Sequence, residues 1–119
     1  MSTPEGYIVN AVLEFLAAVG IYAWRNNTGA VCLKNPNGRE RFVRYGKPGS
    51  SDILGILPDG RMLAIECKTK TGRLSDKQRD FIEDIRSRHG VAFIARSVED
   101  VEVALADARD AVREGRGQK

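Results

Sequence analysis

Apolar residues recur along this chain in two rhythms, one with the 3.6-residue period of a helix and one with the two-residue period of a strand. Ile8, Val12, Phe15 and Val19 keep helical spacing and predict a helix over residues 4–19. Thr3 is placed to cap it, Pro4 to open it and Gly20 to end it. Residues 21–25 read as a strand, followed by the polar turn Asn26-Asn27-Thr28-Gly29. Residues 31–33 and 41–43 read as a hairpin about Asn35-Pro36-Asn37-Gly38, a strong turn sequence. A Gly/Pro/Ser loop at 47–51 precedes the apolar runs 52–57 and 62–68, which flank Pro58-Asp59-Gly60 and form the clearest hairpin. A basic loop at 69–74 leads to a helix that starts at Ser75 and runs to about His89, with Gly90 as its stop. Residues 91–95 are a short apolar strand suited to a buried place in a sheet. Ser97 begins a last helix to about Val112, with Val98, Val101, Leu105, Ala108 and Val112 on one side. The order predicts an α/β fold, a small mixed sheet flanked by helices, in one domain over residues 1–112. Residues 113–119 read as a flexible basic tail.

Composition narrows the class. The chain has 119 residues, 42% of them apolar, which is enough to bury one core and too much for a disordered chain. No run reaches the roughly 18 apolar residues of a membrane helix, and the first residues lack a secretory pattern. Two cysteines, Cys32 and Cys67, are too few for a disulfide framework or a zinc site. The expected compartment is a reducing cytoplasm. The net charge of +3 is unevenly spread. Lys34, Arg39, Arg41, Arg44 and Lys47 against Glu40 give residues 34–47 a net of +4, five minus one. A basic middle segment beside an acidic last helix fits either an anion-binding face or a solvated charged face.

The candidate chemistry centres on Asp52, at the start of one strand, and Glu66-Cys67-Lys68, at the end of its hairpin partner. Side chains alternate along a strand, so Glu66 and Lys68 share a face and Cys67 points the other way. Two charges closing an apolar strand are costly unless paired or metal-bound. Paired carboxylates hold hard cations such as Mg²⁺ or Mn²⁺, and a lysine beside them suits phosphodiester hydrolysis. A surface Glu–Lys pair is the plain alternative. On the first helix Glu5 lies at about 60° from Ile8, inside the apolar stripe, whereas Glu14 lies at about 240°. Glu5 is either an acid aimed at the core edge or a first-turn carboxylate stabilised by the helix dipole. Gln78 lies in the stripe of Phe81, Ile82 and Ile85 and also completes a Ser75-x-x-Gln78 capping box. Arg25 and its polar turn can meet a phosphate backbone or simply turn the chain. His89 reads as structural at a helix end. Tyr22 and Trp24 read as core packing or a dimer contact. No nucleophilic triad or phosphate-binding glycine loop is present.

These residues carry a resemblance. Gly46-Lys47-Pro48-Gly49-Ser50-Ser51-Asp52-Ile53-Leu54-Gly55, Asp59-Gly60-Arg61, Ile65-Glu66-Cys67-Lys68 and Gly72-Arg73-Leu74-Ser75 with Gln78 resemble the VRR-NUC (virus-type replication–repair nuclease) family, a branch of the PD-(D/E)xK superfamily. Glu5, Arg25-Asn26-Asn27-Thr28-Gly29 and Ala95-Arg96-Ser97 extend the likeness. The resemblance implies a restriction-endonuclease-like core and a metal-dependent nuclease. It implies Glu5, Asp52, Glu66 and the main-chain carbonyl of Cys67 as Mg²⁺ or Mn²⁺ ligands, with Asp52, Glu66, Lys68 and Gln78 as the catalytic set. Ser51 stands where the superfamily name calls for Pro. Family members of this size look like phage or bacterial proteins, tend to be homodimers and act on branched DNA.

The resulting expectation is an endodeoxyribonuclease for branched or structured DNA (a Holliday junction or a flap) in replication, recombination or repair, working as a homodimer without a membrane. Arg25, Asn26, Arg41, Arg44, Lys47 and Lys70 are its expected DNA contacts. The alternatives are a non-catalytic DNA-binding or assembly module of the same fold, or an RNA-directed nuclease. No aromatic-rich single-strand platform favours RNA.

Overall fold

The computed structural model describes residues 3–115. Its elements are α1 (Pro4–Ala18), β1 (Tyr22–Arg25), β2 (Gly29–Lys34), β3 (Glu40–Tyr45), β4 (Ile53–Ile56), β5 (Met62–Cys67), α2 (Asp76–Ser87), β6 (Val91–Ala95) and α3 (Val98–Arg113). A four-stranded sheet runs β1-β4-β5-β6. β1, β4 and β5 pair antiparallel, and β5 pairs parallel with β6, so the sheet is mixed. The parallel pair needs a crossover between its strands, and α2 supplies it.

The two faces of this sheet are covered differently. Ile53, Leu63, Ile65, Cys67 and Ala95 point to one side and pack with Val9, Val12 and Leu16 of α1 and Val101 of α3. Ala64 and Ala92 point to the other side and meet Phe81 and Ile82 of α2, with Leu54 and Ile94 beside them. α2 covers only the β5–β6 half of its face. On the β1–β4 half, Tyr22, Trp24, Ile56 and Met62 remain 70%, 43%, 46% and 39% exposed. Core packing is therefore the wrong reading of Tyr22 and Trp24, which sit edge to face at 5.6 Å outside the core.

The caps follow the sequence. Thr3 accepts the Gly6 amide, and Ser75 with Gln78 forms the reciprocal capping box. The buried stripe of α1 departs from the expected one. Its fully buried side chains are Val9, Val12 and Leu16, whereas Val19 lies beyond the helix and is 51% exposed. Stripe positions at about 100°, 40° and 80° centre near 70°, so Glu5 lies closer to the middle of the buried face than the sequence pattern placed it. α2 ends at Ser87, short of His89. His89 takes the left-handed conformation (φ 68°), as a residue after a helix end does. Gly90 follows it because a Cβ there would lie 2.4 Å from the Ile85 side chain. α3 runs one residue further than expected, to Arg113, and residues 116–119 of the expected tail lie outside the described residues.

The β2–β3 hairpin forms as expected but does not join the main sheet. Every residue of its two strands except Val43 is exposed, and none belongs to either core cluster. It is an arm set apart from the main sheet in a molecule whose extents are 62 × 31 × 27 Å.

The helix correction sets a test. Leu16→Ala lowers stability by about 2–5 kcal/mol in urea unfolding, because Leu16 fills a closed site. Val19→Ala lowers it by less than about 1 kcal/mol. Equal losses would show that the buried face of α1 has been misplaced.

Candidate active site

The acids meet at the end of the sheet where β4 begins and β5 ends. Asp52 precedes β4, and its Oδ2 accepts the Cys67 amide at 2.8 Å, which fixes the carboxylate across the hairpin. Glu66 is 2% exposed. Its Oε2 accepts from Gln78 Nε2 at 2.9 Å and stands 3.7 Å from Lys68 Nζ. Its Oε1 is buried with no hydrogen-bond partner. Gln78 thus holds two roles at once. Its carbonyl oxygen accepts the Ser75 amide at 2.9 Å to start α2, and its amide nitrogen grips Glu66. The capping box and the inward-facing amide are one side chain used at both ends.

Lys68 is also buried, 9% exposed, and its amide continues the β5–β6 pairing by donating to the Ala95 carbonyl. Cys67 points into the core, fully buried, as strand alternation required. Burial, with the charges of Asp52, Glu66 and Glu5, pushes its thiol up to about 12. The thiolate a soft metal would need is therefore suppressed. Glu5, half-buried in the first turn of α1, is close enough that its charge raises the proton affinity of Glu66. Desolvation is the largest cause of that rise, followed by the Asp52 charge, and Lys68 opposes it; the Glu66 carboxyl is raised to about 8.

The other expected contacts are dispersed around this centre. Arg25 is exposed at the end of β1, next to the β4 start. Asn26 is occupied in holding the chain: its side-chain amide donates to Ser50 Oγ at 2.7 Å and the Ser51 carbonyl at 2.9 Å, and its backbone amide donates to the Asp52 carbonyl. It secures the loop that delivers Asp52. Arg41 and Arg44 are exposed on the arm, Lys47 is exposed at its exit, and Lys70 is exposed in the loop after Lys68. Arg96 has a role the sequence reading missed. Its guanidinium donates to the carbonyls of Thr69, Lys70 and Gly72, pinning the loop that links Lys68 to α2. The only sequence signal for it was its place in the Ala95-Arg96-Ser97 motif.

The donor set fits a hard divalent ion. Among the described residues, no group of three or more His, Cys, Asp or Glu residues comes together to hold a metal ion, so Glu5 does not join Asp52 and Glu66 in one ligand cluster. Mg²⁺ commonly uses one or two carboxylates and completes its shell with water and substrate oxygens. A buried carboxylate oxygen that no donor reaches, beside a second carboxylate locked by a backbone amide, supplies that pair.

A VRR-NUC domain model matches residues 18–99. A solved structure described as a VRR-NUC domain superposes with a TM-score of 0.60 at 24% identity, covering 88% of this chain and 97% of the other. No curated protein shows a significant match. The family match begins after Glu5, so the case for Glu5 rests on its position in the fold.

The proton on Glu66 sets a pH test. Its pKa rises from 4.5 to about 8 on folding, so the folded chain binds more protons than the unfolded chain between those values. Stability linked to this group is fully present below about 4.5 and is lost as pH rises through about 8. In chelator, thermal unfolding across this window should show falling stability for the wild type and a flatter profile for Glu66→Gln. Identical slopes would place the carboxyl in an ordinary environment. The matching model covers more than half of the chain and the fold agrees with it, so this chain belongs to the VRR-NUC family, a family of nuclease domains.

Proposed function

We propose that the chain is a Mg²⁺- or Mn²⁺-dependent endodeoxyribonuclease acting on branched or structured DNA in replication, recombination or repair, as a homodimer in a bacterial or phage-infected cell. The observation that carries the reading is the buried Glu66 carboxylate, held on one oxygen by Gln78 and Lys68 and open on the other, beside the anchored Asp52. Asp52, Glu66 and the Cys67 carbonyl would hold the ion, and Glu5 adds its charge from α1. A bound ion supplies charge neutralisation at the phosphate and lowers the pKa of water.

The chain's own residues do the rest. Asp52 is oriented before substrate arrives, because the Cys67 amide fixes one of its oxygens. Gln78 fixes Oε2 of Glu66 and leaves Oε1 to face the reacting centre. The Lys68 ammonium, already desolvated, stands where negative charge develops on the phosphate and stabilises it more strongly than it would in water. Arg96 and Asn26 act through others. They hold the two loops that position Lys68 and Asp52.

Lys68→Ala and Asp52→Ala should keep the native circular dichroism and lower cleavage by about 10²–10³-fold or more. The assay uses labelled duplex, flap and four-way junction with Mn²⁺ or with chelator, and full activity in either variant removes the mechanism. A binding-only module would show no metal-dependent cleavage of any of the three. Arg41, Arg44, Lys47, Lys70 and Arg25 are the proposed backbone contacts. Affinity then falls with salt, with a log–log slope near −0.9 per phosphate contacted, and Arg44→Ala reduces that slope by about 1. An unchanged slope would take Arg44 off the DNA.

A further inference from the structure

The β2–β3 arm carries a side chain that neither the core nor the candidate site uses. Phe42 is 76% exposed, the most exposed large apolar side chain among the described residues. It belongs to neither core cluster, and the one ring–ring contact among the described residues is Tyr22–Trp24. The strand register explains why nothing covers it. Phe42 lies opposite Cys32 and has Ala30 on one diagonal, both too small to shield a ring. Lys34 takes the other diagonal, and Arg44 and Glu40 flank Phe42 along its own strand. The arm thus presents a bare aromatic ring among two cations and one acid.

The root of the arm places this ring beside the acids. β2 follows Asn26, whose backbone amide donates to the Asp52 carbonyl at 2.7 Å. β3 ends at Tyr45 and leads into the loop that Asn26 holds at Ser50 and Ser51. Gly46 takes φ 75°, and a Cβ there would lie 2.8 Å from both the Asn27 carbonyl oxygen and the Thr28 methyl, so the two ends of the arm are pressed together. From Tyr45 to Phe42 is about 10 Å along the strand, or roughly three stacked bases.

We propose that Phe42 stacks on a base left open at a DNA branch point and so selects branched DNA over continuous duplex. This deepens the nuclease reading above and rests on it. A continuous duplex offers a protein only base edges, read in its grooves. A flap or four-way junction leaves a base face open where its strands part, and an aromatic ring covers such a face whatever the base. The charges suit the same partner. Lys34, Arg39, Arg41, Arg44 and Lys47 against Glu40 give residues 34–47 a net of +4, five minus one, which favours a polyanion. Arg44 shares the face of Phe42, while Arg41 lies on the opposite face, opposite Leu33. A two-stranded ribbon is narrow enough to enter a major groove, where phosphates line both sides, so both arginines can reach backbone while the ring reaches a base.

The test reads binding with chelator present, so its outcome is separate from cleavage. The wild type is titrated against duplex, flap and four-way junction that carry 2-aminopurine at the branch point or at an internal paired position. Emission should rise at the branch point, as that base leaves its DNA neighbours, and stay level at the internal position. Phe42→Ala should keep native circular dichroism, lose the rise and weaken binding to flap and junction by roughly 5- to 150-fold, a loss about fivefold or more beyond that on duplex. Phe42→Tyr should retain both the rise and the preference, whereas Phe42→Leu should lose both. Equal losses on duplex and branched DNA, no loss in Phe42→Ala, or full preference in Phe42→Leu overturns the stacking. So does a change in the sedimentation of Phe42→Ala with DNA binding intact, which would make the ring a protein contact. A wild type that binds none of the three DNAs fails the nuclease reading itself and takes this inference with it.

Discussion

The structure depends on a carboxylate held where it is poorly solvated. Glu66 is almost completely buried, with Asp52 and Glu5 adding negative charge nearby. Uncompensated, such a group is among the costlier things a small domain can bury. Here it is partly balanced by the Lys68 ammonium and the Gln78 amide, both on its Oε2, while no donor reaches the buried Oε1 and a carboxyl–carboxyl hydrogen bond with Asp52 favours the protonated form. A proton resolves the imbalance, and on the proposed function a divalent ion would take its place. The rest of the fold serves to keep this carboxylate in place: β5 carries it, α2 brings Gln78 to it, and α1 and α3 close the opposite face of the sheet.

Local anchoring explains why so small a core can hold the centre. Asp52 is tied to the Cys67 amide, the loop before it to Asn26, and the loop after Lys68 to Arg96. Each tie joins chain segments far apart in sequence to a strand end, so the clustered acids and Lys68 sit on rigid edges and not on free loops. Gln78 links this framework to helix initiation, since the side chain that grips Glu66 also closes the first turn of α2. A change at Gln78 therefore acts on helix stability and on the site together.

Much of this was legible in the chain. Strand alternation put Glu66 and Lys68 on one face and sent Cys67 into the core, and the Ser75–Gln78 spacing gave both the capping box and an inward amide. The element order and the mixed sheet followed from the change of period. What stayed hidden was tertiary in origin. Periodicity could not show that the buried side of α1 centres on Val9, Val12 and Leu16, because the neighbouring face chooses among several apolar rows. Nor could it show that the β2–β3 hairpin stands apart, since a hairpin has the same local pattern in a sheet and out of it. Tyr22 and Trp24 alternate as a buried strand would, yet α2 is too narrow to cover them. Arg96 has no periodic signature, because its partners are backbone carbonyls more than twenty residues away.

A Glu66 carboxyl raised to about 8 carries its proton at pH 7 and, on the proposed function, would give it up to a bound divalent ion. Calorimetric titration of Mn²⁺ at pH 7, repeated in buffers of different ionisation enthalpy, measures both the uptake and the protons released. The expected result is saturable binding with close to one proton released per ion, and loss of that release in Glu66→Gln. Binding without proton release, or no binding at all, would contradict it.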